Sequence, residues 1–290
     1  MVNQMIPIEE YFLPQNVEEA LLLLRKGKKD YFILSGGTSL AFAKPKGIKA
    51  IVDLSRIGLQ YVKRQKNGIL MGAATPVCEL INNPVFSDYY GGMVREAALT
   101  LATTPLRNLI TLGGNVLQIY PWSTLPPLFL ALGAKFKTTG EGKDPVPAEE
   151  FFFRHPSKQL EKAELLREII LPRQEQGARG AFLKFSKTET DFALLNIAAL
   201  LRVKNGKCLE ARIAVGAVAS LPIRLLKAEE ALMGSSLTKE ILKSAAQIGG
   251  ESLKPMKDFR VKDGYKERIA PILIERCLSL AWKRFGRSNT

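Results

Sequence analysis

Cysteine is scarce in this 290-residue chain: Cys78, Cys208 and Cys277 are the whole complement. They lie far apart, so none supplies the close pair of a zinc or iron–sulfur site. Any redox group used here is not held by the chain's own thiolates, and a reducing, cytoplasmic location is expected. Histidine is scarcer still. His155 stands alone before Pro156, reads as loop, and cannot build a histidine metal cluster or relay. There is no H-E-x-x-H, no G-x-G-x-x-G after a strand, and no P-loop, since Gly142-Lys143 is followed by Asp144. Long apolar runs are missing too. Ala20–Leu24 and Leu128–Leu132 are core-sized, far short of the roughly 20 residues that span a bilayer. Glu9 and Glu10 stand where a secretion leader would be basic and then apolar, so no signal peptide is expected.

What is present is enough apolar material, 46%, for full cores, at a length that suggests two domains. The formal net charge is +14. Its lysines are spread over Lys26/Lys28/Lys29, Lys44/Lys46/Lys49 and Lys63/Arg64/Lys66 without interleaved aromatics. That pattern suits a solvated or partner-facing surface better than a nucleic-acid platform.

Along the chain, Asn16–Lys26 reads as a helix, with Asn16 as cap and Glu18 and Glu19 in the first turn. Tyr31–Leu34 and Ala50–Leu54 read as strands around a small-residue bend, Ser35-Gly36-Gly37-Thr38-Ser39-Leu40. A second unit begins near Gly58. It has a strand at Gly68–Ala74, a helix at Val94–Ala102, a second bend at Thr111-Leu112-Gly113-Gly114-Asn115, and a strand at Glu168–Leu171 ending at Pro172. The polar stretch Arg173–Gly180 is the best domain boundary. Beyond it, Ala181–Ser186, Phe192–Val203 and Leu209–Val218 read as strands, with a hairpin signal at Asn205-Gly206. Helices are expected near Ile223–Met233, Lys239–Glu251 and Tyr265–Phe285. Strands followed by helices imply an antiparallel sheet covered on one face.

The two double-glycine bends carry the only chemical hint. Glycines let backbone approach a bulky anion, and consecutive N–H groups can form an anion-binding nest. Thr38, Ser39, Thr111 and Asn115 could add hydrogen bonds without charge. Taken singly, each bend is better read as an ordinary tight turn. Facing each other, they would suit the two phosphates of a dinucleotide.

The ordered succession of fragments resembles a known family. Leu34-Ser35-Gly36-Gly37-Thr38-Ser39-Leu40, Val52-Asp53-Leu54-Ser55-Arg56-Ile57 and Met71-Gly72-Ala73-Ala74-Thr75 come first. Arg107-Asn108, Thr111-Leu112-Gly113-Gly114-Asn115 and Pro126-Pro127-Leu128 follow. Asp191-Phe192-Ala193, Asn196-Ile197-Ala198, Gly216-Ala217-Val218-Ala219 and Pro222-Ile223-Arg224 complete it. Over almost its whole length the chain resembles the FAD-binding medium subunit of the xanthine dehydrogenase and aerobic carbon monoxide dehydrogenase family of molybdenum hydroxylases.

The resemblance implies an α+β fold: a PCMH-type, non-Rossmann FAD-binding domain over residues 1–175, with subdomains of roughly 1–57 and 58–175. A C-terminal domain over 176–290 would have a three-stranded antiparallel sheet and helices. FAD would lie between the domains, bound noncovalently because neither bend offers a histidine or cysteine for attachment. Ile33, Leu34, Ser35, Gly36, Gly37, Thr38, Ser39 and Leu40 would wrap the pyrophosphate and adjoining ribose. Thr111, Gly114 and Asn115 would close the other side, and Leu101 and Ala102 would line the adenine half. Ser123 matches a cofactor-touching serine. Thr124 follows it where the family usually has aspartate, which puts NAD reactivity in doubt. Leu166 and Lys184 match residues beside the isoalloxazine ring, where a lysine would stabilise an anionic reduced flavin; without the resemblance, Lys184 reads as a surface strand lysine. The partners implied are a molybdenum-cofactor large subunit and an iron–sulfur small subunit. The competing readings are a free-standing flavin oxidoreductase and a non-enzymatic scaffold subunit with a degenerate flavin site.

Overall fold

The structure, a computed structural model, describes residues 8–27, 30–43, 47–140, 142, 144–158, 160 and 163–286. Three sheets organise them. The first unit contains β1 (Glu10–Phe12), α1 (Val17–Gly27), β2 (Tyr31–Leu34), α2 (Thr38–Ala43) and β3 (Ala50–Asp53). Its strands are parallel in the order β1-β3-β2. Asn16 caps α1 as its sequence suggests: Oδ1 accepts Glu19 N at 2.8 Å, an interaction worth about 1 kcal/mol. The helix buries Ala20 and Leu24 against β3 and leaves Leu22 exposed.

The second unit holds β4 (Val62–Gln65), β5 (Gly68–Gly72), α3 (Glu79–Asn82), α4 (Met93–Leu99), α5 (Thr104–Leu109), α6 (Leu112–Leu117), α7 (Leu125–Leu132), β6 (Lys135–Thr138), β7 (Val146–Pro147), α8 (Ala148–Phe151) and β8 (Leu166–Pro172). Its strands form a five-stranded antiparallel sheet, β4-β5-β8-β6-β7. Every residue of α7 is buried, so this helix is apolar all round and acts as a central rod rather than an amphipathic cover.

The third unit is β9 (Ala178–Phe185), β10 (Leu195–Lys204), β11 (Lys207–Gly216), β12 (Ile223–Arg224), α9 (Leu226–Leu232), α10 (Lys239–Ser252) and α11 (Tyr265–Lys283). The expected hairpin is there, with Asn205 and Gly206 both left-handed at φ 53° and 74°. Two expectations need correction. The sheet has four antiparallel strands, β12-β11-β10-β9, not three. The extra strand, Ile223–Arg224, lies where a helix start was expected, because Ala214 and Val215 of β11 pair with it before α9 begins. The sheet is also covered on both faces. Ala178, Phe182, Ala198 and Leu200 join the core of the second unit, while Ala181, Ile197, Ala199 and Leu201 pack under α9–α11. Leu195–Leu201 is nearly continuous in apolar residues, the pattern of a strand buried on both sides.

An ion-pair network fastens the second unit to the third. Arg212 donates to the Leu130 and Ala131 carbonyls at the end of α7, at 2.9 and 2.8 Å, and pairs with Glu149. Arg224 bridges Glu149 and the buried Glu229, at 2.9 and 2.6 Å. Burial works to raise the pKa of Glu149, yet backbone N–H donation and the two guanidiniums hold it below the ordinary carboxylate value. Among the described residues no helix is long and apolar enough to cross a membrane.

Candidate functional site

The first bend leaves β2 at Ser35. Gly37 takes a left-handed φ of 71°, and Thr38 then opens α2. A Cβ on Gly36 would lie 1.8 Å from the Leu109 carbonyl oxygen and 3.3 Å from Thr111 N. The backbone of the first bend therefore rests on the backbone that leads into the second. No side-chain-bearing residue fits at position 36 without pushing the two apart.

The second bend is the first turn of a helix. Thr111 caps α6, its Oγ1 accepting Gly114 N at 3.2 Å. Leu112 N donates to Thr75 O at 2.9 Å and Gly113 N to Ala73 O at 2.8 Å, which pins the bend to the chain leaving β5. A Cβ on Gly113 would sit 2.9 Å from Ala73 O. Asn115 follows on α6, and its Oδ1 is buried with no hydrogen-bond partner among the described residues. Leaving such an acceptor unmatched costs about 1–3 kcal/mol, a cost that a hydroxyl donated by a ligand would remove.

Leu101 and Ala102 follow α4, and Ala102 is left-handed at φ 49°. One guanidinium organises them. Arg107 Nη1 donates to the carbonyls of Leu99 and Leu101, each at 3.2 Å, and of Ala102 at 2.8 Å. Arg107 belongs to α5, which runs straight into the second bend, so it ties the 99–102 segment to that bend. From β9, Lys184 Nζ donates to Thr100 O at 2.7 Å and Glu189 O at 2.8 Å. Burial pulls its pKa below the ordinary lysine value, with Asp191 and Glu189 opposing.

Ser123 and Thr124 come from the loop before α7. Ser123 and Tyr120 exchange two hydrogen bonds of 2.9 Å, side chain and backbone, which close that loop. The Ser123 and Trp122 carbonyls accept Asn196 Nδ2 at 3.2 Å each. Asn196 is the cross-strand partner of Lys184, and its own Oδ1 is a second buried acceptor without a partner among the described residues. Thr124 is buried at the start of α7 and makes no capping hydrogen bond.

The structure thus brings Gly36 of the first bend against Leu109 and Thr111, joins 101–102 to the second bend through Arg107, and links Lys184 to Thr100 on one side and to Ser123 through Asn196 on the other. Leu166 stands apart from this group. It pairs with Thr138 and its side chain is buried in the core; the next residue, Arg167, accepts Ala73 N at its carbonyl at 3.0 Å, on the segment to which the second bend is pinned.

Sequence reasoning gave no role to Arg107, Asn196 or the aromatic rings beside Ser123. Tyr120 and Trp122 stack at 5.5 Å and 2°, Trp122 meets Phe192 at 5.0 Å, and Arg260 lies 5.8 Å above Trp122. Asn196 had a readable signal, an amide in an otherwise apolar strand. The aromatic cluster had none, since residues 120, 192 and 260 are distant in the chain.

Comparison with known proteins identifies the family. Residues 6–174 match the model of the FAD binding domain in molybdopterin dehydrogenase. Residues 180–281 match that of the CO dehydrogenase flavoprotein C-terminal domain. The chain is 31% identical to the carbon monoxide dehydrogenase medium chain of Hydrogenophaga pseudoflava, over 96% of this chain and 98% of that one. It is 29% identical to the 6-hydroxypseudooxynicotine dehydrogenase complex subunit alpha of Paenarthrobacter nicotinovorans, over 96% of each. The solved structure of the H. pseudoflava carbon monoxide dehydrogenase that lacks the Mo-pyranopterin moiety superposes with a TM-score of 0.90, covering 97% of this chain and 99% of that one. The chain belongs to the family of FAD-binding flavoprotein subunits of molybdopterin dehydrogenases.

Proposed function

We propose that this chain is the FAD-binding electron-transfer subunit of a molybdenum hydroxylase complex, working in the cytoplasm beside a molybdenum-cofactor large subunit and an iron–sulfur small subunit. Its division would follow the two family matches: an FAD-binding domain over 1–175, in subdomains of about 1–57 and 58–175, and a C-terminal domain over 176–290. The relatives are named as a medium chain and as a subunit of a dehydrogenase complex, and this chain covers almost all of each. Those names favour a subunit over a free-standing flavin oxidoreductase.

One observation carries the reading. Gly36 lies against the Leu109 carbonyl, so two bends far apart in sequence share one wall. Residues 33–40 would supply backbone N–H groups to the diphosphate from one side, and Thr111, Gly114 and Asn115 would hold the phosphates and ribityl chain from the other. The unmatched Asn115 Oδ1 fits a chain rich in hydroxyls. Leu101 and Ala102, fixed by Arg107, would border the adenine half. Ser123, Thr124 and Lys184 would lie toward the ring. The half-buried Lys184 ammonium would favour negative charge there, and Leu166 would support the ring from the core. When bound, FAD supplies the ability to accept electrons singly and release them as a pair to NAD, a quinone or oxygen. The chain's own contribution is position, exclusion of water and charge.

The test is a titration of flavin-free chain with FAD, followed by flavin fluorescence and visible absorption. Stoichiometric, saturable uptake that denaturant reverses is expected. A chain that stays colourless at saturating FAD while correctly folded by circular dichroism would contradict the reading and favour the scaffold with a degenerate site.

A further inference from the structure

A cavity of about 640 Å³ lies away from both bends, where the turn before α4 meets β9 and the end of α11. Arg95, Arg179 and Arg284 line it, with Asp88 and Glu96 as its acids. The lining is therefore net positive. Arg284 is committed: it pairs with Glu96 and donates to the Gly180 carbonyl. Arg95 and Arg179 have no carboxylate partner among the described residues, and Arg179 donates only to its neighbouring Ala178 carbonyl at 3.0 Å. Gly91 makes the arrangement possible. It is left-handed at φ 73°, and a Cβ there would meet Arg284 Cδ at 2.9 Å and Arg179 Cδ at 3.4 Å. The missing side chain lets both arginine stems lie across the turn with their guanidiniums at the cavity.

From this we propose that the cavity binds a phosphate-bearing anion, a site separate from the flavin bends. Guanidinium forks match phosphate oxygens bidentately, and two that lack a carboxylate offer more positive charge than a single carboxylate neutralises. The volume exceeds that of a bare phosphate and accommodates one carried on a nucleotide. Arg179 comes from the third unit and Arg95 from the second, so an anion held by both would also brace the two units against each other.

The experiment is calorimetry on the full FAD-loaded chain at low salt, with inorganic phosphate, pyrophosphate, ADP and a hexaglutamate peptide as titrants. Binding of a phosphate compound is expected, weakening with added salt and falling about tenfold or more in Arg95→Ala/Arg179→Ala, because each charge-assisted fork contributes strongly. Tighter binding of ADP than of pyrophosphate would assign a nucleotide, and equal binding free phosphate. FAD content and circular dichroism should not change. Arg95 is exposed, so the single Arg95→Ala variant preserves the test if the double variant is unstable. Four results would overturn the proposal: no heat with any phosphate titrant, binding that survives both substitutions, loss of FAD in the variants, or binding of the acidic peptide alone.

Discussion

The two glycine bends look alike in sequence but are held in different ways. The first, at residues 35–40, has its Gly36 pressed against the Leu109 carbonyl of a distant segment. The second, at 111–115, is closed locally by the Thr111 hydroxyl on Gly114 N and then pinned to Ala73 and Thr75. One bend depends on a distant partner and the other carries its own clasp. A glycine in the first is irreplaceable for tertiary reasons, whereas the second should tolerate the loss of its clasp.

That contrast can be broken or sharpened by substitution. Gly36→Ala should have the largest effect. A Cβ 1.8 Å from a carbonyl oxygen cannot be relieved by a side-chain shift. The variant should lose at least about 2–3 kcal/mol of stability in urea denaturation and bind no measurable FAD. If Gly36→Ala bound FAD normally, the bends would not share a wall. Asn115→Leu comes next. It removes the unmatched buried oxygen, so the free protein should keep or gain stability, while FAD affinity in fluorescence titration drops roughly tenfold or more. Thr111→Val deletes only the clasp, with an expected cost of about 1 kcal/mol in stability and a weaker effect on FAD than either change above.

Lys184→Met tests charge rather than shape. With flavin retained, the midpoint potential should fall by about 30 mV or less, since a partly screened charge near the ring is worth no more than that. A potential that rises would place Lys184 elsewhere.

The smallest effect concerns pH. Neither bend contains an ionisable side chain, so FAD affinity should stay flat between about pH 5 and 9. Asp258 differs. Hydrogen bonds from Arg260 hold its carboxyl well below the ordinary value, against burial and with help from Lys266. A depressed carboxylate pKa gives stability that is present above the unfolded value, near 3.9, and is lost as pH falls through the folded value. The loop around 256–266 should therefore become more protease-sensitive only below about pH 4, when FAD is still bound. A parallel loss of both would link that loop to the bends.

Much of this was legible in the chain. The cap at Asn16, the Asn205-Gly206 hairpin and the long helices from Lys239 and Tyr265 follow from local chemistry and stand where expected. What local chemistry could not reveal was partnership. The covering of both sheet faces, the two-residue strand β12 and the contact of Gly36 with Leu109 all depend on residues far away in sequence. The same holds within the site. The glycines and hydroxyls advertised themselves, but the Arg107 clamp and the cluster of Tyr120, Trp122 and Phe192 exist only once the chain is folded.

The most direct test of the central claim is a crystal structure of the chain grown with FAD. The account requires the diphosphate to lie between the backbone of residues 33–40 and the Thr111–Asn115 turn, with a hydroxyl of the cofactor within hydrogen-bonding reach of Asn115 Oδ1. Electron density placing the diphosphate elsewhere, whether on the arginines around Gly91 or on any surface that touches only one bend, would contradict it.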